Sequence, residues 1–152
     1  MFEVKVSVDA VNLRKTLKVS ARKVKIFQPP LTDSGKLMVK SVDRNFAEQG
    51  RPRRWARLSP TTLRMRRSSG NNSARILQST GALRRSIRFR LVGGTSVEVG
   101  TNKTYGAYHQ AGYVGGFGNR KVPARPFLVF QKVDVTRIQD IFTKHIEKAV
   151  KT

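Results

Sequence analysis

The stretch from Arg51 to Arg90 constrains this chain more than any other feature of its sequence. It contains twelve arginines, no lysine and no acidic residue. Guanidinium groups remain charged at physiological pH, and no residue within the stretch can neutralise them. Trp55 and Leu58 supply hydrophobic anchors there. We therefore expect a basic surface segment that these two side chains pin to the core.

The rest of the composition is that of a globular protein with an unusual charge. The chain has 152 residues, 38% of them hydrophobic, and we expect residues 1–152 to form a single domain with its own core. Thirty-one Lys and Arg stand against nine Asp and Glu, a formal net charge of +22 that favours polyanionic partners. Because the chain has no cysteine, disulfide frameworks, thiolate zinc sites and thiol nucleophiles are excluded.

The N-terminal residues carry first a strand pattern and then a helix pattern. Residues 2–8 alternate apolar and polar side chains, which predicts a strand buried on one face. Asp9 is a candidate N-cap for an amphipathic helix that Pro29-Pro30 would end. The first thirty residues hold no continuous apolar stretch, so we expect neither a signal peptide nor a membrane-spanning helix.

A second helix is predicted to begin near Asp33 or Ser34. Its apolar face carries Met38, Val42 and Phe46, and it is expected to stop at Gly50. Further along, Ser59 and Pro60 form an N-cap followed by proline at the first helical position, which predicts a short basic helix through about Arg67.

The second half of the chain predicts loops, a hairpin and a closing helix. Residues 68–73 are small and polar and predict a flexible loop, whereas the alternation over residues 86–99, interrupted by two glycines, predicts a β-hairpin. A helical turn is expected over residues 105–112 and a mobile loop over residues 112–118. The last helix begins near Val133 and carries Ile138, Phe142, His145 or Ile146, and Ala149 at helical spacing.

These elements together predict an α+β fold. We expect about three to four helices packed on one face of a small, mostly antiparallel sheet, with long mobile loops.

The sequence offers no group of residues suited to catalysis or to holding a cofactor. Its nine carboxylates are scattered, and no pair has a setting that would tune one as acid and the other as base. His109 and His145 lack neighbours at metal-ligand spacing, and the paired glycines lack the spacing of a phosphate-binding loop. We therefore expect no catalytic, metal or cofactor site, and no enzyme.

The arginines are the one feature that indicates a binding function. Arginine forks match phosphate groups bidentately, so we expect nonspecific contact with nucleic-acid backbone rather than sequence readout, since no helix-turn-helix or zinc-finger pattern accompanies the charge. A solvated basic face, or pairing with acidic partner subunits, is the alternative. The candidate residues for contact with DNA or a partner are Arg51, Arg53, Arg54, Arg57, Arg64, Arg66 and Arg67.

Four segments in series resemble the phage virion morphogenesis, or tail-completion, family. They are Trp55-Ala-Arg-Leu-Ser-Pro-Thr-Thr62, Ile76-Leu-Gln-Ser-Thr-Gly-Ala-Leu-Arg-Arg-Ser-Ile87, Tyr105-Gly-Ala-Tyr-His-Gln-Ala-Gly112 and Val122-Pro-Ala-Arg-Pro-Phe-Leu128. The resemblance covers roughly residues 40–140 and agrees in order and spacing. The high charge and the arginine-dense middle depart from a typical member.

The resemblance implies a structural protein of the head–tail junction, made in the host cytoplasm and used in the virion. Similar neck proteins form rings, often with about six subunits, so a homo-oligomer in contact with other neck, connector and tail proteins and with packaged DNA is implied, with no membrane partner. A free-standing basic nucleic-acid-binding protein is the alternative. An enzyme such as a nuclease is disfavoured by the missing carboxylate cluster.

Core or turn geometry explains most of the individual motif residues. We expect Trp55 and Leu58 in the core, Gly81 in a turn that directs Leu83 inward, and Pro123 and Pro126 stiffening the segment before Phe127. Arg125, between those two prolines, is the exception: it suits an inter-subunit ion pair, with an internal bond as the alternative.

Overall fold

A computed structural model describes residues 27–115 and 120–150 of the chain. The strand predicted over residues 2–8 and the helix predicted after Asp9 lie outside these residues. Within them, five helices alternate with two antiparallel ribbons of two strands each. The helices are α1 (Gln28–Ala47), α2 (Pro60–Ser68), α3 (Ala82–Arg85), α4 (Tyr105–Ala111) and α5 (Lys132–Val150). The ribbons pair β1 (Arg88–Val92) with β2 (Ser96–Gly100), and β3 (Tyr113–Gly115) with β4 (Arg120–Val122).

The α+β class predicted from the sequence is confirmed, although two separate ribbons replace the single small sheet. The described chain divides into two compact units. We call the first the arginine-rich unit; its described parts lie within Val42–Ile87 and within Thr101–Val129, where residues 116–119 are not described. We call the second the hairpin unit; its described parts are residues 27–41, Arg88–Gly100 and residues 130–150.

In the hairpin unit, helix α1 begins earlier than predicted. It starts at Gln28 rather than near Asp33, so the prolines that were expected to end a preceding helix occupy the first turn of this one. A first-turn residue has no intrahelical partner for its N–H, which is why proline is tolerated there. Ser34 donates its hydroxyl to the carbonyl of Pro30 (2.7 Å), and Met38 is buried as predicted.

The predicted β-hairpin is confirmed, with Phe89 opposite Val99 and Leu91 opposite Val97. Gly93 and Gly94 both have positive φ (59° and 69°), as tight hairpin turns often require. Gly35 of α1 lies against this ribbon so closely that a Cβ there would be 2.5 Å from Cδ2 of Phe89. Only glycine permits this approach of helix to strand without a shift.

Helix α5 begins at Lys132, one residue before the predicted start. Ile138 is buried, and Phe142 stacks on Phe27 with ring centroids 6.4 Å apart. Asp134 is also buried, where it accepts hydrogen bonds from the hydroxyl of Ser41 and the amide of Gln131. Ala149, which the helical spacing placed on the apolar face, is exposed.

The core of the arginine-rich unit is built around Phe46. Its ring makes an edge contact with Trp55 (5.7 Å between centroids) and a tilted contact with Phe127 (5.4 Å). Val42 is fully buried beside this group, as the apolar face of α1 predicted. Helix α1 ends at Ala47, three residues before the predicted stop at Gly50, and the amide of Gly50 donates to Asn45 O (2.8 Å) in the turn that follows.

Two further predictions for the arginine-rich unit are confirmed. Ser59 caps α2 by accepting from the amide of Thr62 (3.1 Å), with Pro60 at the start of the helix. Gly81 has a left-handed backbone (φ 70°) that precedes α3, and Leu83 points into the core.

The mobile loop predicted over residues 112–118 is wrong for its first part, because Tyr113–Gly115 forms β3. Gly112 (φ 75°) leads the chain out of α4 so close to the next strand that a Cβ would lie 2.7 Å from Ala124 N and 2.9 Å from Val122 O. This backbone approach brings Tyr113 opposite Val122, and Gly112 permits the pairing because it has no side chain. Residues 116–118 of the predicted loop lie outside the described residues.

Candidate functional site

The residues Arg125–Leu128 are held by side chains that bond to their backbone; we call them the clamped segment. The indole N–H of Trp55 donates to Pro126 O (2.9 Å), and the amide of Asn45 donates to Phe127 O (2.7 Å). The side chain of Gln110 accepts from the amides of Phe127 (3.0 Å) and Leu128 (3.1 Å) and donates to Leu128 O (3.1 Å). An extended segment outside any strand thus has most of its polar backbone groups satisfied.

Arg125 is buried within this arrangement, with 7% of its surface exposed. Its guanidinium donates to Ala56 O (3.1 Å) and Arg57 O (3.3 Å), while its own amide donates to His109 O (2.7 Å). These are the internal bonds that the sequence left open as the alternative to an inter-subunit ion pair. They tie the clamped segment to the residues that follow Trp55.

The four segments that carry the family resemblance meet in one place. Together they line an open cleft of about 600 Å³ in the arginine-rich unit. The first contributes Leu58 and the start of α2, and the second contributes Leu77 and Leu83. The third contributes Tyr105 and His109, and the fourth contributes Val122, Pro123 and Arg125. Segments far apart in sequence therefore form one continuous surface.

The cleft is cationic, and its charges are partly fixed. Arg66 lies in its wall and donates to Ser73 O and Arg75 O, both at 2.9 Å. Burial lowers the pKa of Arg125, the charge of Arg66 lowers it further, and Tyr113 acts in the opposite direction.

His109 lies in the same wall with its Nδ1 buried and without a hydrogen-bond partner among the described residues. Burial lowers the pKa of His109, and the charge of Arg125 lowers it further. The folded protein therefore favours the neutral imidazole.

The seven arginines singled out from the sequence divide into two groups. Arg51 and Arg66 are half-buried and bonded internally, the former to the side-chain oxygen of Asn45 (2.8 Å). The other five are exposed, and no carboxylate of the described residues forms an ion pair with them. This exposed group, which we call the arginine surface, consists of Arg53, Arg54, Arg57, Arg64 and Arg67.

The predicted structural residues are buried to different degrees. Trp55, Leu83 and Phe127 are buried, Leu58 is half-buried in the cleft wall, and Gly81 forms the predicted turn. Pro123 and Pro126 are exposed and flank Arg125 in a segment without helix or strand.

Sequence reasoning missed several residues of this site, most of all Asn45 and Gln110. Asn45 is fully buried in α1, next to the apolar Phe46 and three residues after Val42. A polar side chain on an apolar helix face is a signal that could have identified it. Gln110 carries no comparable signal, because its partners lie on a segment without regular structure.

Asp43 and Arg84 were also missed, and they form a bidentate pair at 2.6 and 2.8 Å. The hydrogen bond from Arg84 is the main reason that the pKa of Asp43 lies below its ordinary value, and the same bond raises the pKa of Arg84. Arg84 also donates to the side chain of Gln78, which in turn donates to Phe46 O. The pair thus orients the second segment of the cleft.

Neither a metal-binding cluster nor a membrane-spanning helix is found among the described residues. No group of three His, Cys, Asp or Glu side chains could hold a metal ion there. None of the helices in that part of the chain has the length and apolar character needed to cross a membrane.

Comparison with known proteins agrees with the four segments. The model of the phage virion morphogenesis family matches residues 8–147, a range that includes every residue of the cleft. No curated protein and no solved structure shows significant similarity to the chain. The family indicates a structural role in building the virion rather than a catalytic one. The chain belongs to the phage virion morphogenesis family, and its role is in the assembly of a bacteriophage particle.

Proposed function

We propose that this protein is a ring-forming subunit of the phage head–tail junction, where it completes the tail or neck and joins it to the head. Membership of the virion morphogenesis family supports an assembly role. The resemblance of the four segments to tail-completion proteins supports the junction as the location. Its partners are further copies of itself, other neck, connector and tail proteins, and packaged DNA.

The observation that carries the proposal is the arginine surface. Its five guanidinium groups are exposed on a unit whose ranges Val42–Ile87 and Thr101–Val129 hold thirteen arginines and two lysines but only Asp43 and Glu48 as acids. Repeated by ring symmetry, such a surface faces either the DNA channel or the acidic face of an adjoining ring. Contact with phosphate would be strong, nonspecific and steeply dependent on salt.

The internally bonded arginines support the same role. Arg51, Arg66 and Arg125 donate to groups of their own chain, so only part of the positive charge is available to DNA. If every arginine facing the lumen bound DNA, ejection of the genome would be hindered. The division of the arginines into internally bonded and exposed ones therefore suits a connector through which DNA must pass.

The first test is the mass of the purified protein in solution, alone and with a short DNA duplex, from low to high salt. A closed oligomer that persists at high salt without DNA is expected. A monomer that binds duplex tightly at moderate salt would overturn the proposal in favour of a free-standing nucleic-acid-binding protein. In the phage itself, loss of the gene should leave filled heads and separate tails.

A matched pair of variants tests the arginine surface. Replacing Arg53, Arg54, Arg64 and Arg67 with Gln should reduce the slope of log K against log salt for duplex binding, by about 0.9 for each phosphate that the variant no longer neutralises. The control replaces four exposed cations of the hairpin unit with Gln and should leave the slope nearly unchanged. Those control residues are Lys40, Lys132, Arg137 and Lys144.

A further inference from the structure

We propose that the cleft of the arginine-rich unit binds an acidic, apolar peptide segment of a neighbouring virion protein. This inference rests on the proposed function, because it names the chemistry of one of the assembly partners. The cleft is largely separate from the arginine surface, because only Arg57 belongs to both. The other four residues, Arg53, Arg54, Arg64 and Arg67, lie outside the cleft lining.

The charge of the cleft indicates the sign of the ligand. Arg57, Arg66, Lys121 and Arg125 line it, and none of the described residues lining it is acidic. Arg66 and Arg125 both donate to backbone carbonyls, which hold the two guanidinium groups in position. Fixed cations without a carboxylate partner favour a ligand that brings carboxylates.

The apolar part of the cleft indicates that the ligand is a protein. Met65 is 68% exposed and Tyr105 is 40% exposed, and both line the cleft. At the same edge, Tyr113 (39% exposed) makes an edge contact with the exposed Tyr108, with centroids 5.6 Å apart. Tyr, Met and Arg are the side chains enriched in the cores of protein interfaces. Exposed aromatic residues grouped in this way on a water-facing surface are typical of such a site.

Size and charge argue against two other candidate occupants, a DNA duplex and a second copy of the chain. A cleft of about 600 Å³ has room for a few side chains. A DNA duplex is too wide to enter it, since the major groove alone is about 12 Å wide. Phosphate backbone also offers nothing apolar to Met65 and Leu77. A second copy of the chain has only nine carboxylates among thirty-one cations, so it is a poor source of an acidic segment for this cleft.

The test uses the full-length protein and a fluorescein-labelled peptide in which Asp and Leu alternate. Two control peptides replace every Asp with Asn or every Leu with Ser. Binding by the Asp-Leu peptide alone is expected, because the cleft requires both charge and apolar contact. Equal binding by the Asp-Ser peptide would overturn the inference, since it would reduce the interaction to general attraction between charges.

Two double variants with the same change in charge locate the binding site. Arg57→Glu with Lys121→Glu alters exposed cations of the cleft, and Arg53→Glu with Arg64→Glu alters exposed cations outside it. The first should weaken peptide binding by about tenfold or more, and the second by about twofold. Equal losses would contradict the proposed site. Met65→Ser should also weaken peptide binding while leaving duplex binding unchanged.

The outcomes separate this inference from the proposed function. If the oligomer forms and binds duplex but the Asp-Leu peptide does not bind, only the cleft inference fails. If the peptide binds in the cleft but the protein remains monomeric under every condition, only the ring proposal fails. If duplex displaces the peptide and the cleft variants lose duplex binding, the cleft is a DNA site and the inference is overturned.

Discussion

The arginine-rich unit and the hairpin unit differ first in charge. The ranges Val42–Ile87 and Thr101–Val129 carry fifteen cations and two carboxylates, whereas the described parts of the hairpin unit carry eight cations and five carboxylates. They differ also in construction. Much of the hairpin unit consists of long elements with regular side-chain periodicity, such as α5 and the β1–β2 ribbon. The arginine-rich unit is joined instead by side chains that bond to distant backbone, such as Asn45 and Trp55.

The comparison shows how a chain with a strongly basic segment can still build an ordered surface. Arginine and amide side chains satisfy the backbone groups that regular structure leaves open. The same bonds fix the walls of the cleft. The described part of the hairpin unit is built mainly from periodic elements, so removal of single polar side chains should affect the two units unequally.

Truncation of Trp55 should have the largest effect. Trp55→Ala removes a buried ring and the bond to Pro126 O, and we expect the free energy of unfolding to fall by about 4 kcal/mol. Ile138→Ala in the hairpin unit should cost about 3 kcal/mol, and Trp55→Phe only about 2 kcal/mol because it keeps the ring packing. Urea denaturation measures all three. If Trp55→Ala lowers the free energy of unfolding by less than Ile138→Ala does, Trp55 is not central to the stability of its unit.

Asn45 and Ser41 allow the two units to be compared on one helix, since they lie one turn apart in α1. Asn45→Ala removes the donor to Phe127 O and one acceptor of Arg51, so a decrease of about 3 kcal/mol in the free energy of unfolding is expected. Ser41→Ala should cost about 1 kcal/mol, because Asp134 keeps the amide of Gln131 as a donor. The same denaturation series compares them, and equal decreases would remove the contrast between the units.

Gly35 tests packing in the hairpin unit. A methyl group at this position would meet Phe89 at 2.5 and 2.7 Å, and the resulting strain should exceed the gain in helix propensity. We expect Gly35→Ala to destabilise the protein by about 1 kcal/mol. Gly100→Ala, where a Cβ meets nothing within 4 Å, is the control and should change stability by less than about 0.5 kcal/mol. Stabilisation by Gly35→Ala would show that the contact relaxes freely.

The smallest expected effect is a pH dependence that arises in the arginine-rich unit. The pKa of His109 is lowered in the folded state, so the unfolded chain takes up a proton first as the pH falls. Stability should therefore decrease as the pH drops below the ordinary histidine value of about 6.5. In His109→Gln the urea midpoint of unfolding should change less between about pH 7.5 and 5.5, a range above that in which carboxylates titrate. If the midpoint changes with pH as much as in the unmodified protein, another group causes the pH dependence.

Patterns with a local period were predicted well. The apolar face of α1, the Ser59 cap, the hairpin around Gly93 and the burial of Ile138 each follow from spacing over a few residues. The early start of α1 was missed because proline breaks helices in their interior but is tolerated in the first turn. The residue pattern alone does not indicate whether a helix ends or begins at the two prolines.

The site was predicted in its parts but not in its assembly. The motif residues were identified, yet nothing in local spacing indicates that Arg125 bonds to Ala56 O or that Gln110 spans two amides of another segment. Such bonds depend on the three-dimensional path of the backbone, which periodicity does not encode. For the same reason Tyr113–Gly115 was assigned to a loop rather than to a strand.

The clamped segment has a consequence for how this protein can change over generations. Trp55, Asn45 and Gln110 form hydrogen bonds to the backbone of Pro126, Phe127 and Leu128. One inserted or deleted residue in the segment would shift its carbonyl groups away from these donors. Related chains should therefore keep the length of this segment, as well as the buried Arg125 and Phe127.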